Sequence, residues 1–334
     1  MLDGGAQRDR RSVHIKAAIC VLTRQRPDML QRALDSIQQM RVPENASIFV
    51  VVVENDVLDS AIGLASALQK RSGIATIYER ETRIGIPYAR NRALSVALAQ
   101  GADVILFFDD DEVVTEDWLD GMLIRYRETD LDLIGGPVVM DAEVEPRGWI
   151  TRSILFGTNQ RFHSRISRAE KRLARGDEGR IPISTNNWLA SRAVFEAFGI
   201  YFDESYGAGA GSDMKFYRDA SRAGVKTGWA ANAFVKELVP IERLTIGYVF
   251  KRTRDQRSIS IYRDVQKSGY WRTIIRSAPE LFYRCVAIPF GPLVVVLSGG
   301  RALAGYVRFI GKAAGIITGL LGHATSHYQQ TTGH

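Results

Sequence analysis

The sequence predicts an α/β protein built on an open, mostly parallel sheet flanked by helices. Two observations carry that reading. Strand-like and helix-like segments alternate as far as Phe108, and the strand-like ones are continuous apolar runs, as strands covered on both faces require. Polar residues follow directly at their carboxyl ends, where open α/β sheets bind ligands.

The elements follow in order. Lys16 to Thr23 (KAAICVLT) reads as the first strand. Pro27 then opens a segment with Leu30, Ala33, Leu34 and Ile37 at helical spacing. Ile48 to Glu54 reads as a buried strand, Leu58 to Lys70 as a helix and Ile74 to Glu79 as a strand. Pro87 to Gln100 reads as a helix with proline in its first turn and Gly101 just past its end, and Val104 to Phe108 (VILFF) as another strand. The alternation fades beyond about residue 140. Arg147 to Arg180 is basic with few apolar runs and is expected to form a loop-rich insertion over the site. Ile181 to Gly224 returns to mixed α and β character and includes the glycine-rich segment Gly207 to Gly211.

With 46% hydrophobic and 24% charged residues, composition excludes disorder. Lys and Arg total 44 against 37 Asp and Glu, a net +7, which points to a phosphate-bearing ligand, an anionic membrane surface or nucleic acid. The two cysteines, Cys20 and Cys285, lie in or beside apolar runs and offer neither a disulfide framework nor a metal-ligand spacing, so a reducing compartment is expected. Met1 to Ser12 is polar and arginine-rich without the apolar stretch of a secretory signal, so the N-terminus is expected in the cytoplasm.

Asp109, Asp110, Asp111 and Glu112 follow the VILFF strand directly. Four carboxylates there are electrostatically costly, and a divalent ion with oxygen ligands, Mg2+ or Mn2+, would offset the repulsion and bridge them to a diphosphate. The competing use is a solvated acidic turn capping the helix after Thr115.

An aspartate-x-aspartate at the end of a central strand is similar to the metal motif of nucleotide-sugar transferases with the GT-A fold. More of the chain agrees: Thr23-Arg24 and Glu54-Asn55-Asp56 end the first two strands, and Gly85 with Ala89-Arg90-Asn91 looks like the donor-binding turn and helix start. Asn187, the segment Phe202 to Asp213 (FDESYGAGAGSD) and Phe216 to Gly224 resemble the acceptor-side half. Over about residues 15 to 260 the sequence resembles bacterial family 2 glycosyltransferases, especially those assembling exopolysaccharides. The resemblance implies an inverting, metal-dependent hexosyltransferase that uses a nucleotide sugar, a UDP-sugar, and a lipid-linked saccharide acceptor. It implies Asp109 and Asp111 as metal ligands, Asp111 foremost, with Asp110 beside the donor. It also implies Thr23, Arg24, Glu54 and Asp56 near base and ribose, and Gly85, Arg90, Asn91 and Asn187 as further donor contacts. Thr23 and Glu54 would alternatively only cap strand ends, and Arg90 would be a surface charge.

Asp213 corresponds to the catalytic base, although the acidic residue that usually precedes it is Ser212 here. Its other use would be as N-cap of a helix Met214 to Ala223. Arg252, Arg254 and Arg257 lie where such enzymes close guanidinium groups over the pyrophosphate. The Gln-x-x-Arg-Trp signature of processive synthases is absent, which favours single-sugar addition. Trp188 and Trp229 read as core or as sugar platforms, and His163 as surface.

The resulting division is a tail (1–14), a donor half (15–140), an acceptor and catalytic half (141–260) and a C-terminal helical membrane-associating region (261–334). About sixteen residues separate Arg284 from Arg301, fewer than the roughly 20 that span a bilayer, and Pro289 and Pro292 are expected to interrupt them. Arg301, Arg308 and Lys312 cluster within about 40° on a helical wheel, opposite Leu303, Val307, Ile310, Ala314, Ile317 and Leu321. That pattern predicts an in-plane helix at the cytoplasmic face of the inner membrane, peripheral or monotopic. Gly311, Gly315 and Gly319 instead allow helix pairing, including in a homo-oligomer. Two other function classes compete. A sugar-nucleotidyltransferase would carry glycines in Thr23-Arg24-Gln25-Arg26-Pro27, which has none. A nucleic-acid binder would need aromatics interleaved with its basic patch, so no nucleic-acid partner is expected.

Overall fold

The structure is a computed structural model that describes residue 10 and residues 13–207 and 211–322. Two compact units emerge. One takes the described residues up to Val139 with Ser164–Glu237, the other Met140–His163 with the described residues from Leu238 onward.

In the first unit β1 (Ile15–Thr23), α1 (Pro27–Gln39), β2 (Ala46–Glu54), α2 (Ile62–Ser72), β3 (Ala75–Arg80), α3 (Ile86–Ala99) and β4 (Val104–Asp109) alternate as the apolar runs predict. β5 (Glu112–Val114), α4 (Trp118–Glu128), β6 (Leu133–Gly135) and β7 (Val138–Ala142) follow, and α5 (Trp149–Leu173) carries the chain between the units. β8 (Asn187–Ser191), α6 (Arg192–Glu196), α7 (Ser212–Arg222), β9 (Thr227–Trp229) and β10 (Val235–Val239) complete this part. A seven-stranded sheet runs β3-β2-β1-β4-β8-β6-β9, and a small one runs β5-β10-β7. The first four strands are mutually parallel, while β8 runs antiparallel to both β4 and β6.

Strand periodicity sorts the core into two layers. Ile19, Val21, Val52, Leu106 and Phe108 join Leu30 and Leu34 on one side. Cys20, Val51, Val53, Ile105 and Phe107 join Ala93 and Leu94 on the other. Each large apolar side chain so buried contributes about 1.5–3 kcal/mol, so polar residues are tolerated mainly at strand ends. Trp188 stacks on Phe107 at 5.2 Å and is core, as is Trp229 beside Ala169 and Ile181. Residues 147–180 do not form the expected loop-rich insertion. They hold the 25-residue helix α5, whose apolar periodicity is faint because so few of its positions, Ile154 and Ala169 among them, are buried.

The second unit contains α8 (Ile246–Ser268), α9 (Tyr270–Ala287), α10 (Gly291–Leu297) and α11 (Leu303–Leu320). The small-residue series of α11 lies directly on α8. A Cβ at Gly315 would come 2.5 Å from the Arg254 carbonyl oxygen, and one at Gly319 2.7 Å from that of Ser258. The in-plane reading of α11 is therefore corrected, because Leu303 and Val307 are buried with Met140, Ile154, Leu244 and Val249 rather than turned outward.

The outward apolar surface is on α9 and α10 instead. Pro289 and Pro292 do not interrupt this stretch, because each sits in the first turn of its segment, where a missing N–H costs little. Tyr270–Leu297 is consequently one continuous helical stretch of 28 residues containing an 18-residue window of mean hydropathy 1.6, long and apolar enough to cross a membrane by length and composition. Its amphipathicity is inverted. Thr273 and Ser277 are buried, whereas Trp271 is 75% exposed and Ile275, Phe282, Val286, Phe290 and Leu297 are exposed with it.

Candidate active site

Parallel register gathers the strand-end residues into one edge of the first unit. Thr23 lies level with Glu54, and Leu22 with Asp109, so the carboxyl ends of β1, β2 and β4 share a line. The acidic run begins there, at the last residue of β4.

Its members have different partners. Asp110 is buried and accepts hydrogen bonds from Thr23 Oγ1 at 2.8 Å and Arg26 Nη1 at 3.1 Å. Burial and the neighbouring Asp111 push its carboxyl up to about 6, against the pull of Arg26 and Thr23. Glu112, also buried, accepts from the Asp109 backbone N–H at 2.8 Å and from Asn186 Nδ2 at 2.7 Å. Burial and the Asp109 and Asp111 carboxylates push it well above the usual range. Asp111 lies 3.9 Å from Arg26 Nη1. The acidic run therefore already has a resident cation in Arg26, and the expected divalent ion would be a second.

Arg90, buried on the first turns of α3, reaches two carboxylates from separate parts of the chain. Its Nη1 donates to Asp213 Oδ1, and its Nη2 lies 3.7 Å from Asp109 Oδ1. The surface-charge alternative for Arg90 is excluded by that burial. The side chains of Asp109 and Asp213 are each 43% exposed, so both are accessible at this edge rather than shut in the core. Enclosure by the surrounding protein, opposed by Arg90 and aided by Asp111, Asp213 and Asp110, pushes Asp109 up to about 7. Asp213 moves the other way: burial would raise it, but Arg90 and hydroxyl donors including Ser212 outweigh that and hold it below the usual carboxylate range. Asp213 is not an N-cap. α7 starts at Ser212 with Gly211 as its cap, placing Asp213 inside the first turn, where the helix dipole also favours a carboxylate. Of the glycine-rich segment, residues 208–210 lie outside the described residues.

The remaining expected donor contacts separate into open and occupied groups. Glu54 is fully buried, accepting from the Ser60 and Ala61 backbone N–H groups, from the Ser60 hydroxyl and from Tyr78 Oη at 2.7 Å. Asn187 is likewise consumed, accepting from Trp118 Nε1 at 2.8 Å and donating to the Pro137 and Ala233 carbonyls. Both brace the edge from within. Asp56 accepts from Gln25 Nε2 and the Val57 N–H, with Arg24 Nε 3.6 Å away. Burial would raise its carboxyl, but these hydrogen bonds and Arg24 leave it lowered.

Asn55 clamps the turn before α3. Its amide donates to the Glu81 and Arg83 carbonyls, and its Oδ1 accepts from the Gly85 N–H at 2.8 Å. Gly85 has φ 151°, and a Cβ there would meet the Gly207 backbone at 2.7 Å, so no larger residue fits. Asn91 ties α3 to the loop before α7 through two bonds with the Phe202 backbone, at 2.9 and 3.0 Å. Arg252, Arg254 and Arg257 belong to the second unit, where Arg254 pairs with Asp255 and Arg257 with Glu280. Arg26 and Asn186 were not among the sequence candidates. The only signal for Arg26 was a cation just after the first strand, and its partner Asp110 is 84 residues away.

Among the described residues no group of three or more His, Cys, Asp or Glu side chains is disposed to hold a metal. Asp109 and Asp111 nevertheless fit one kind of site. Mg2+ and Mn2+ prefer oxygen donors, and Mg2+ is commonly held by one or two carboxylates plus substrate phosphates and water.

Comparison with known proteins agrees with this geometry. Residues 18–198, more than half of the chain, match the model of the family described as glycosyl transferase family 2. The chain is 29% identical over 242 residues to the succinoglycan biosynthesis protein ExoM of Rhizobium meliloti (strain 1021), with 72% of each chain covered. It shares its fold with the mannosyltransferase PcManGT of Pyrobaculum calidifontis, solved in complex with GDP-Man and Mn2+. The TM-score is 0.56 at 17% identity, covering 93% of this chain and 87% of that one. This chain belongs to glycosyl transferase family 2.

Proposed function

We propose that this chain moves a sugar from a nucleotide-sugar donor, a UDP-sugar, to a hydroxyl of a lipid-linked saccharide during polysaccharide biosynthesis, with inversion at the anomeric carbon. The observation that carries it is the pair Asp109 and Asp213, both solvent-accessible and both reached by the buried Arg90. Asp213 is the general base. An alcohol is a poor nucleophile until its proton is partly removed, and a positioned carboxylate contributes on the order of 10² to 10⁴ in rate. Arg90 orients that carboxylate and keeps it ionised. Removal of the proton on the face opposite the departing nucleoside diphosphate makes the displacement in-line and inverting.

Asp111 and Asp109 would hold Mg2+ or Mn2+, which when bound supplies charge neutralisation for the leaving diphosphate. Arg24 and Asp56 stand nearest to where base and ribose would lie, while Thr23 acts through Asp110. The succinoglycan biosynthesis relative supports a polysaccharide product. The inverted face of α9 and α10 supports attachment to a membrane, because apolar side chains turned outward need a non-aqueous neighbour, and the reading places that attachment at the cytoplasmic face of the inner membrane, peripheral or monotopic.

The test is release of nucleoside diphosphate from a panel of nucleotide sugars with saccharide acceptors, with and without chelator. Metal-dependent release with at least one donor is expected. Release unaffected by chelator would remove the metal, and release of pyrophosphate from a sugar phosphate and nucleoside triphosphate would replace transfer by nucleotidylation.

A further inference from the structure

Arg90, Asp109 and Asp213 come from three separate elements, α3, β4 and α7, so α7 must be fixed against α3 for the base to face the reacting atoms. The bonds that join α3 to the segment before α7 converge on the residue next to Arg90. Asn91 donates from Nδ2 to the Phe202 carbonyl at 2.9 Å and accepts from the Phe202 N–H at 3.0 Å, so one amide holds both backbone groups of one residue. Its Nδ2 also reaches Glu204 Oε1 at 3.2 Å. Arg83 takes the other oxygen of Glu204 at 3.0 Å, but that pair is open to water and such pairs contribute little.

Phe202 carries the clamp to the chemistry. Its buried ring lies under the Arg90 guanidinium, with Cζ 5.2 Å from the centroid, and stacks on Phe216 at 4.4 Å. Phe216 follows Asp213 by three residues on α7, so the two share a face of that helix. Trp188 packs against Phe202 and Phe216 at 6.2 and 5.3 Å and stacks on Phe107 of β4, two residues before Asp109. Close-packed rings transmit a displacement rather than absorb it, so a shift of Phe202 reaches all three elements. Arg90 Nε is buried and makes no hydrogen bond among the described residues, which leaves the ring and the two carboxylates to orient the guanidinium.

We propose that Asn91 and Phe202 are positioning residues that hold Arg90 against Asp213 and so aim the base at the acceptor hydroxyl. Asn91 is thereby a support of the base rather than a contact to the donor. The inference rests on Asp213 as the base, proposed above, and adds the residues that place it.

A double-mutant cycle on kcat tests it, with nucleoside diphosphate affinity by calorimetry in Mn2+ as the second readout. Asn91→Ala should lower kcat by roughly 10- to 100-fold, since misplacing a reacting group by about 1 Å costs on that order, while diphosphate affinity stays near wild type. In an Asp213→Asn background the same substitution should cost nothing further, because aiming a base has no value once the base is gone. A role confined to folding would instead multiply the two single losses. Ser191→Ala, which breaks a buried hydrogen bond to Asp132 at the opposite end of β8, should leave kcat of the folded protein near wild type. Should Asn91→Ala fail to fold, Phe202→Leu keeps the amide clamp and most of the buried volume and should give the same pattern. Multiplicative losses would overturn the inference while Asp213 remained the base. Weakened diphosphate binding with kcat unchanged would make Asn91 a donor contact and overturn it as well. Normal turnover by Asp213→Asn alone would remove both the base and its supports.

Discussion

At the sheet edge of the first unit Asp109, Asp110 and Asp213 each face an arginine, whereas in the second unit Trp271, Ile275, Phe282, Val286, Phe290 and Leu297 along α9 and α10 face outward. One region presents carboxylates partly balanced by arginine, the other an exposed apolar face. Arg26 and Arg90 offset much of the carboxylate charge, so a diphosphate entering there meets cations already engaged and needs a further one from solution. The second unit instead turns apolar side chains outward on α9 and α10, which no ion would satisfy. A chelator should therefore separate them, abolishing nucleotide binding at the first and leaving membrane attachment through the second intact.

The largest expected effect comes from removing the base. Asp213→Asn keeps size and shape, so transfer should fall by about 10² to 10⁴ while donor affinity and melting temperature change little. Near-normal turnover of the folded variant would assign Asp213 a structural role only. Next in size, Asp111→Asn should weaken metal-dependent binding of a nucleoside diphosphate by at least the roughly 10–100-fold typical of losing even an outer partner of a metal site. Calorimetry with Mn2+ present reads this directly, and unchanged affinity would remove Asp111 from the site.

A stability measurement sharpens the difference between bracing and binding residues. Asn187→Ala leaves Trp118 Nε1 and the Pro137 and Ala233 carbonyls without a buried partner, at about 1–3 kcal/mol for each group. Denaturant unfolding should register the loss while the donor KM of the folded fraction stays the same. In the second unit Gly315→Ala forces a Cβ to 2.5 Å from the Arg254 carbonyl and should cost about 1–3 kcal/mol by overpacking. Wild-type stability there would mean that α11 does not seat on α8.

Those same residues mark what was legible in the sequence. The strands of the first unit were, because Val104 to Phe108 and its counterparts are apolar throughout, and a strand between two helix layers has no other composition available. Asp109 and Asp213, singled out from the sequence, are accessible carboxylates that share Arg90. Glu54 and Asn187 look identical to ligands in sequence, since a polar residue at a strand end can face solvent or turn inward. Only the distant Tyr78 and Trp118 decide that they turn inward. Helix α5 was hidden because a mostly exposed helix lacks an apolar stripe. Pro289 and Pro292 read as breaks because sequence alone does not say that they begin segments of a helix rather than interrupt it.

The smallest effect is a shift in pH dependence. A base works only when deprotonated, so activity is lost as pH falls through its pKa, and Arg90 holds that of Asp213 below the usual carboxylate range. The acid limb of kcat/KM should accordingly lie below the ordinary Asp value and move upward in Arg90→Gln. An unmoved limb would detach Arg90 from the base.

The most direct test of sugar transfer by in-line displacement at this edge is the anomeric configuration of the first product. It is read by proton NMR before mutarotation or further reaction, with the donor that gives metal-dependent release. Asp213 acting from the face opposite the leaving diphosphate predicts a configuration opposite to that of the donor. A product that keeps the donor's configuration would contradict the account.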